Sequence, residues 1–224
     1  MTAKPSAPPS LRSPLVCFDL DGTLVDSGPG IRASVRHSAA TVGIDEPDAE
    51  QLRALIGPPF PRAFRDVLGV DAPTADAMMA AYRAYYGGGA MFDVEVYPGV
   101  PDLLAELVAR GDTLAITTSK PREYADEIVA HLGLDKYVAA GVFGAGDDVE
   151  GKAAVVGLAL ARHDGPVVGL VGDRSHDVEG ARAHGLPCVG VDWGFGGRAE
   201  LIAAGAAAVV DTPAEVPAAL DGLR

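Results

Sequence analysis

The sequence predicts an α/β fold, a parallel-sheet core with a small all-helical block inserted after its first strand. Three observations carry this reading. From Pro98 onward, apolar runs of strand length alternate with amphipathic stretches that end at glycine, the pattern of a parallel sheet covered on both faces. Between 26 and 91 the pattern is helical, with no convincing strand to interrupt it. Polar residues far apart in the chain, from Asp19 to Asp177, all fall at one predicted edge of the sheet, outside the carboxyl ends of its strands, where open α/β sheets bind ligands.

The elements follow in order. The tail over 1–13 is polar and proline-rich and reads as disordered. Leu15 to Asp19 is a strand. Residues 28–43 form a helix with Ile31, Val35 and Val42 on one face, Pro29 near the start and Gly43 as the stop. Helical patterns follow at 48–56, 59–68 and 74–86, and the triple glycine at 87–89 breaks them. A helix at 100–110 ends at Gly111 and leads into the strand DTLAITTS. The next helix carries Pro121 in its first turn and stops at Gly133. A short strand near Val142–Phe143, a helix over 151–162, the strand PVVGLVGD, a helix over 176–184 and the strand PCVGVDW come next. A weaker helix–strand–helix closes the chain. The core is thus assigned to 14–25 and 92–224, the insert to 26–91.

A chain of 224 residues, 48% hydrophobic and 22% charged, fits an ordinary globular protein with one sizeable core. Its net charge of −13 and pI near 4.6 exclude nucleic acid and anionic membrane as non-specific partners. The same charge repels a phosphorylated substrate unless a local cation overcomes it. Cys17 and Cys188 lie in apolar runs and read as core residues of a protein in a reducing, cytoplasmic compartment. The N-terminus lacks the apolar stretch of a signal peptide, and no apolar run reaches the roughly 20 residues of a membrane span.

The stretch VCFDLDGTLVDSG poses a physical question, because a buried strand runs straight into Asp19 and Asp21. Unpaired buried carboxylates are costly, and close neighbours raise each other's pKa. A divalent cation answers both problems. Asp19 and Asp173 supply hard oxygens of the kind Mg²⁺ takes in octahedral geometry. Asp19 can then attack phosphorus, and Asp21 can protonate the leaving oxygen and activate water. Lys152 and the Thr118 hydroxyl hold the phosphate.

Four motifs stand in order: DLDGT at 19–23, an apolar strand ending in Thr118-Ser119-Lys120-Pro121, Lys152, and GDRSHD at 172–177. In these the chain resembles the haloacid dehalogenase-like phosphatases over nearly all its length after residue 14. The resemblance implies a Rossmann-like core with a helical cap of the type called C1. It implies Asp19 as nucleophile and metal ligand, Asp21 as general acid/base and a ligand through its backbone carbonyl, and Asp173 as a direct Mg²⁺ ligand. Asp177 would bind the metal through water or hold Lys152, and Thr118, Ser119 and Lys152 would bind the phosphoryl group. Members that cleave carbon–halogen or carbon–phosphorus bonds lack the second aspartate, so Asp21 argues against both reactions. LIGPPF at 55–60, VYPGV at 96–100, TTSKP and GDRSHD are similar to the phosphoglycolate phosphatase-like and 5′-nucleotidase-like branch.

Each residue also has a plainer reading. Asp19 and Asp21 alone fit a solvated turn. Which of Thr117, Thr118 and Ser119 points at phosphate is a question of register. Lys152 alone reads as a surface lysine paired with Glu150, and Asp177 as a first-turn acid favoured by the helix dipole. Gly57 and Arg62 in the insert are candidates to face the substrate, although Arg62 also fits a solvated helix face. Tyr82, Tyr85 and Tyr86 read as packing, and His176 as exposed beside the site.

The expected function is an Mg²⁺-dependent phosphatase acting on a small phosphomonoester such as phosphoglycolate or a nucleoside monophosphate. The cap would close over the substrate about hinges near 24–28 and 88–98, and the protein would be a monomer or homodimer. A phosphomutase shares the motifs and differs only in the acceptor. A non-enzymatic phospho-aspartate switch uses a similar cluster, but such domains are about half this length, and the insert has no role there.

Overall fold

Leu15–Phe18 form β1, four buried apolar residues in a row, as a strand covered on both faces requires. β2 is Val25–Asp26 and β3 is Glu95–Val96. The remaining strands are β4 (Thr113–Pro121), β5 (Gly141–Ala145), β6 (Val167–Gly172), β7 (Cys188–Val191) and β8 (Ala208–Val210). The computed structural model describes residues 12–57, 60–146, 149 and 151–224. Most of the expected tail, together with Pro58, Pro59 and Glu150, lies outside these described residues.

Six strands make one sheet in the order β5-β4-β1-β6-β7-β8, and every pairing is parallel. The expected α/β architecture is therefore present, a Rossmann-like sheet with helices around it. Alternate residues of β1 face opposite layers. Leu15 and Cys17 join Val155, Val156, Val178 and Leu201, whereas Val16 and Phe18 join Leu104, Leu114 and Val171. The first layer comes from α7 (Lys152–Leu160), α8 (Ser175–Arg182) and α9 (Arg198–Ala204). The second comes from α5 (Val100–Ala109), α6 (Arg122–His131) and α10 (Val216–Asp221).

The insert holds α1 (Gly28–Val42), α2 (Ala49–Ala54), α3 (Arg62–Leu68) and α4 (Ala72–Gly87). α1 buries Ile31, Val35 and Ala39 at a spacing of four, and Gly43 ends it in a left-handed conformation at φ 75°. Asp48 and Asp71 cap α2 and α4 by accepting backbone N–H groups. The insert shares its core with the sheet, since Ile31, Val35, Phe64, Met78 and Tyr82 belong to the same apolar cluster as Val16, Phe18 and Leu104.

Two local features differ from expectation. β2 and β3 pair antiparallel, Val25 opposite Val96 and Asp26 opposite Glu95, so the chain enters and leaves the insert through one two-stranded ribbon. Strands of two residues carry no periodicity, which is why the sequence did not disclose them. β4 also runs two residues further than expected. Its register with β5 shifts after Thr117, and Pro121 pairs with Ala145 before the next helix begins at Arg122. Pro121 thus closes the strand instead of lying in the helix's first turn.

Candidate active site

The register of β1 places the site. Phe18 is level with Ile116 of β4 and with Val171 of β6, and the Asp19 amide donates to the Val171 carbonyl at 2.9 Å. Asp19 therefore leaves the middle of the sheet between the ends of its two neighbours. Thr117 and Thr118, where the register of β4 shifts, flank one side, and Asp173, just past the end of β6, flanks the other. Lys152 opens α7 and reaches in from the layer beneath. Its ammonium donates to Asp19 Oδ1 at 2.6 Å and to the Thr117 carbonyl at 2.9 Å, and it faces Asp177 Oδ1 at 2.8 Å. Lys152 is not a surface lysine, since its side chain is 5% exposed.

Asp173 and Asp177 are held from behind. Thr23 Oγ1 donates to Asp173 Oδ1 at 3.3 Å, and the Phe195 amide donates to Oδ2 at 2.7 Å. Asp177, in the first turn of α8, accepts the Arg174 amide at 3.0 Å through Oδ2. Gly22 turns the chain after Asp21 at φ 84°, and a Cβ there would collide with the Asp173 carboxylate. The glycine of DLDGT is needed both for its backbone angle and for this close approach.

Oxygens of Asp19, Asp173 and Asp177 all lie within 4.8 Å of one another, and all three residues are buried. Burial pushes the Asp19 carboxyl up to about 7, against the pull of Lys152 and with added repulsion from Asp177 and Asp21. Burial, then Asp177 and Asp19, hold Asp173 well above the usual carboxylate range. Three carboxylates around one ammonium leave an excess of negative charge. Asp177 Oδ1 is buried and faces Lys152 without the directional geometry of a hydrogen bond. An oxygen-only donor set with surplus negative charge and an unsatisfied lone pair fits a divalent cation.

Asp21 points elsewhere. Its Oδ1 lies 3.1 Å from the Lys120 ammonium, which donates to the Tyr86 hydroxyl at 2.6 Å. Burial disfavours charge on Lys120, but Asp21 and Tyr86 outweigh it and the ammonium is held protonated. On the other side, Arg174 Nη1 donates to the Ile56 carbonyl of the insert at 2.5 Å while its Nε reaches Glu200 at 2.9 Å.

The structure thus brings Asp19, Lys152, Asp173 and Asp177 together, with Asp21 and Thr118 beside them. Thr118 is buried, and its Oγ1 accepts the Lys120 amide at 3.2 Å. Ser119 is exposed. Gly57, at φ 109°, lies against Arg174, where a Cβ would come 2.6 Å from Nη1. Arg62 pairs with Asp66 of its own helix at 3.2 Å with its side chain 76% exposed. Sequence reasoning did not single out Lys120, Arg174 or Glu200. Lys120 lies inside the TTSKP motif.

Fold and site together define an α/β enzyme with an acidic centre at the carboxyl edge of a parallel sheet. Residues 16–191 match the family described as haloacid dehalogenase-like hydrolase, and the chain belongs to it. It is 39% identical over 199 residues to a 5′-nucleotidase of Pseudomonas aeruginosa, covering 86% of this chain and 88% of the relative. A phosphoglycolate phosphatase of Synechococcus elongatus is 33% identical over 206 residues, 90% of this chain and 94% of its own length. Among solved structures, protein tyrosine kinase A of Mycobacterium tuberculosis superposes with a TM-score of 0.81 at 36% identity, covering 93% of this chain and 98% of that one.

Proposed function

We propose that the protein is an Mg²⁺-dependent phosphatase that hydrolyses a small phosphomonoester through an aspartyl-phosphate at Asp19. The observation that carries this is the buried Asp19 carboxylate, fixed by Lys152 at 2.6 Å with Asp173 and Asp177 around it. Relatives named 5′-nucleotidase and phosphoglycolate phosphatase support the substrate class.

Asp19 attacks phosphorus, the ester P–O bond breaks, and its electron pair leaves on the substrate oxygen. Asp21 gives that oxygen a proton. Asp21 then takes a proton from water, which attacks phosphorus, and the bond to Asp19 breaks to release phosphate. Lys152, Thr118 and Ser119 hold the phosphoryl oxygens. Asp19, Asp173, Asp177 and the Asp21 carbonyl would hold Mg²⁺. When bound, the ion supplies the positive charge that lets a dianionic group approach these carboxylates. The insert over 26–91 acts as a cap hinged near 24–28 and 88–98, and it excludes water from the reaction. A cavity of about 230 Å³ lined by Arg32, Arg53, Ile56 and Phe195 lies between the insert and the loop after β7. Free, buried Cys17 and Cys188 fit a reducing cytoplasm.

The test is phosphate release from p-nitrophenyl phosphate, phosphoglycolate, nucleoside monophosphates and sugar phosphates, with Mg²⁺, with chelator, and with Asp19→Asn. Multiple turnovers that require both metal and Asp19 are expected. Phosphate that stays on the protein indicates a phospho-switch, and transfer to a sugar or tyrosine hydroxyl in place of water indicates a transferase. Either of the last two results overturns the hydrolytic reading.

A further inference from the structure

We propose that Lys120 is the positioning residue for Asp21, and that Tyr86 fixes Lys120 in that role from the inserted helices. The proposal rests on the phosphatase reading above, in which Asp21 moves the protons.

Asp21 follows Asp19 on a tight turn, and two single bonds separate its carboxylate from the backbone. To serve first the leaving oxygen and then water, that carboxylate must keep one place through both steps. Small displacements of a reacting group cost large factors in rate. Asp21 Oδ1 is buried and has no directional hydrogen bond among the described residues. What faces it is the Lys120 ammonium at 3.1 Å.

Lys120 is itself held. It lies in β4, its backbone amide donates to Thr118 Oγ1, and its side chain is 7% exposed. A buried ammonium must have partners for its three N–H groups. The Tyr86 hydroxyl accepts one at 2.6 Å, and the Asp21 carboxylate faces the ammonium as an ion pair at 3.1 Å. Tyr86 cannot swing away. It is 2% exposed, stacks on Tyr82 with centroids 5.4 Å apart, and meets Tyr124 edge-on at 5.5 Å. Tyr82 leans in turn on Phe60 and Phe64. A line of contacts thus runs from the aromatic stack through a hydroxyl and an ammonium to the acid. Tyr86 belongs to α4 of the insert, and Lys120 and Asp21 belong to the sheet edge. The acid is therefore fully placed only when the insert sits on the sheet as it does here.

A purely structural ion pair and a positioning pair predict different kinetics. Loss of p-nitrophenolate needs no proton from the enzyme, whereas an alkoxide leaving group does. A defect in placing Asp21 therefore penalises alkyl esters selectively. The experiment compares kcat and KM for p-nitrophenyl phosphate and glycerol 2-phosphate in wild type, Asp21→Asn, Lys120→Met and Tyr86→Phe. Thermal unfolding is followed for each.

Lys120→Met is expected to lower kcat for the alkyl ester by about tenfold more than for the aryl ester, a fraction of what a general acid contributes. Tyr86→Phe, which removes one oxygen, shifts the same ratio in the same direction by a smaller factor and carries the test alone if Lys120→Met does not fold. Asp21→Asn gives the largest shift. If Asp21→Asn changes the ratio while Lys120→Met and Tyr86→Phe lower both esters equally or leave both unchanged, the positioning role is wrong and the phosphatase reading stands. If Asp21→Asn behaves as wild type, or wild type releases phosphate from neither ester, the phosphatase reading itself falls and takes this inference with it.

Discussion

Asp19 is a buried carboxyl in direct contact with a buried lysine. Asp19→Asn keeps the size and hydrogen-bonding reach of the side chain but removes its charge and nucleophilicity. Phosphate release is expected to fall by about three orders of magnitude or more, measured under single-substrate turnover. In chelator the same variant is expected to melt above wild type, because one of three crowded carboxylates is gone. Gly22→Ala makes a contrasting change next door. It forces an L side chain to φ 84° and drives its Cβ into Asp173. A loss of at least about 1 kcal/mol in denaturant unfolding is expected, together with lost activity. At this scale the acidic centre was legible. Asp19, Lys152, Asp173 and Asp177 each stand at the end of a strand or the start of a helix, and α/β geometry gathers such positions at one edge. The Lys120–Tyr86 and Arg174–Ile56 contacts were not legible. Their partners lie 34 and 118 positions apart in the chain, and nothing in local pattern links them.

Among the elements, those with a full period of apolar residues matched their sequence signals and short or irregular ones did not. α1 starts with Pro29 and stops at Gly43 as its sequence demands, and α5 buries Leu103, Leu104 and Leu107 on one stripe. Leu104 is fully buried in the cluster that joins sheet and insert. Leu104→Ala is expected to cost about 2–5 kcal/mol, read from the denaturant midpoint at unchanged slope. A loss below about 1 kcal/mol would mean that the core there collapses to fill the gap. The end of β4 defied its pattern because the register shift after Thr117 extends pairing to a proline, and proline itself announces no strand. The order of strands in the sheet was beyond the sequence too, since it depends on which neighbours pair.

Taken whole, the molecule balances an acidic centre against the rest of its stability. In the folded protein without metal, the Asp19 carboxyl sits at about 7, against 3.8 for an ordinary aspartate. Between those values the folded state binds more protons than the unfolded chain. Stability therefore falls as pH rises through that window and levels off above about 7. With chelator present, the melting temperature is expected to be higher at pH 5 than at pH 8, and saturating Mg²⁺ should raise it at pH 8 far more than at pH 5. A melting temperature that ignores both pH and metal would show that the carboxylates are not strained by one another. The net charge of −13 anticipated a need for a local cation, but it said nothing of where the insert would attach. That attachment is the paired ribbon of Val25–Asp26 with Glu95–Val96. Because the two ends of the insert meet side by side, the length of the segment between them is not fixed by the spacing of the strands in the parallel sheet. The ribbon is a splice point, where the chain leaves the parallel sheet's edge and returns to it at one place.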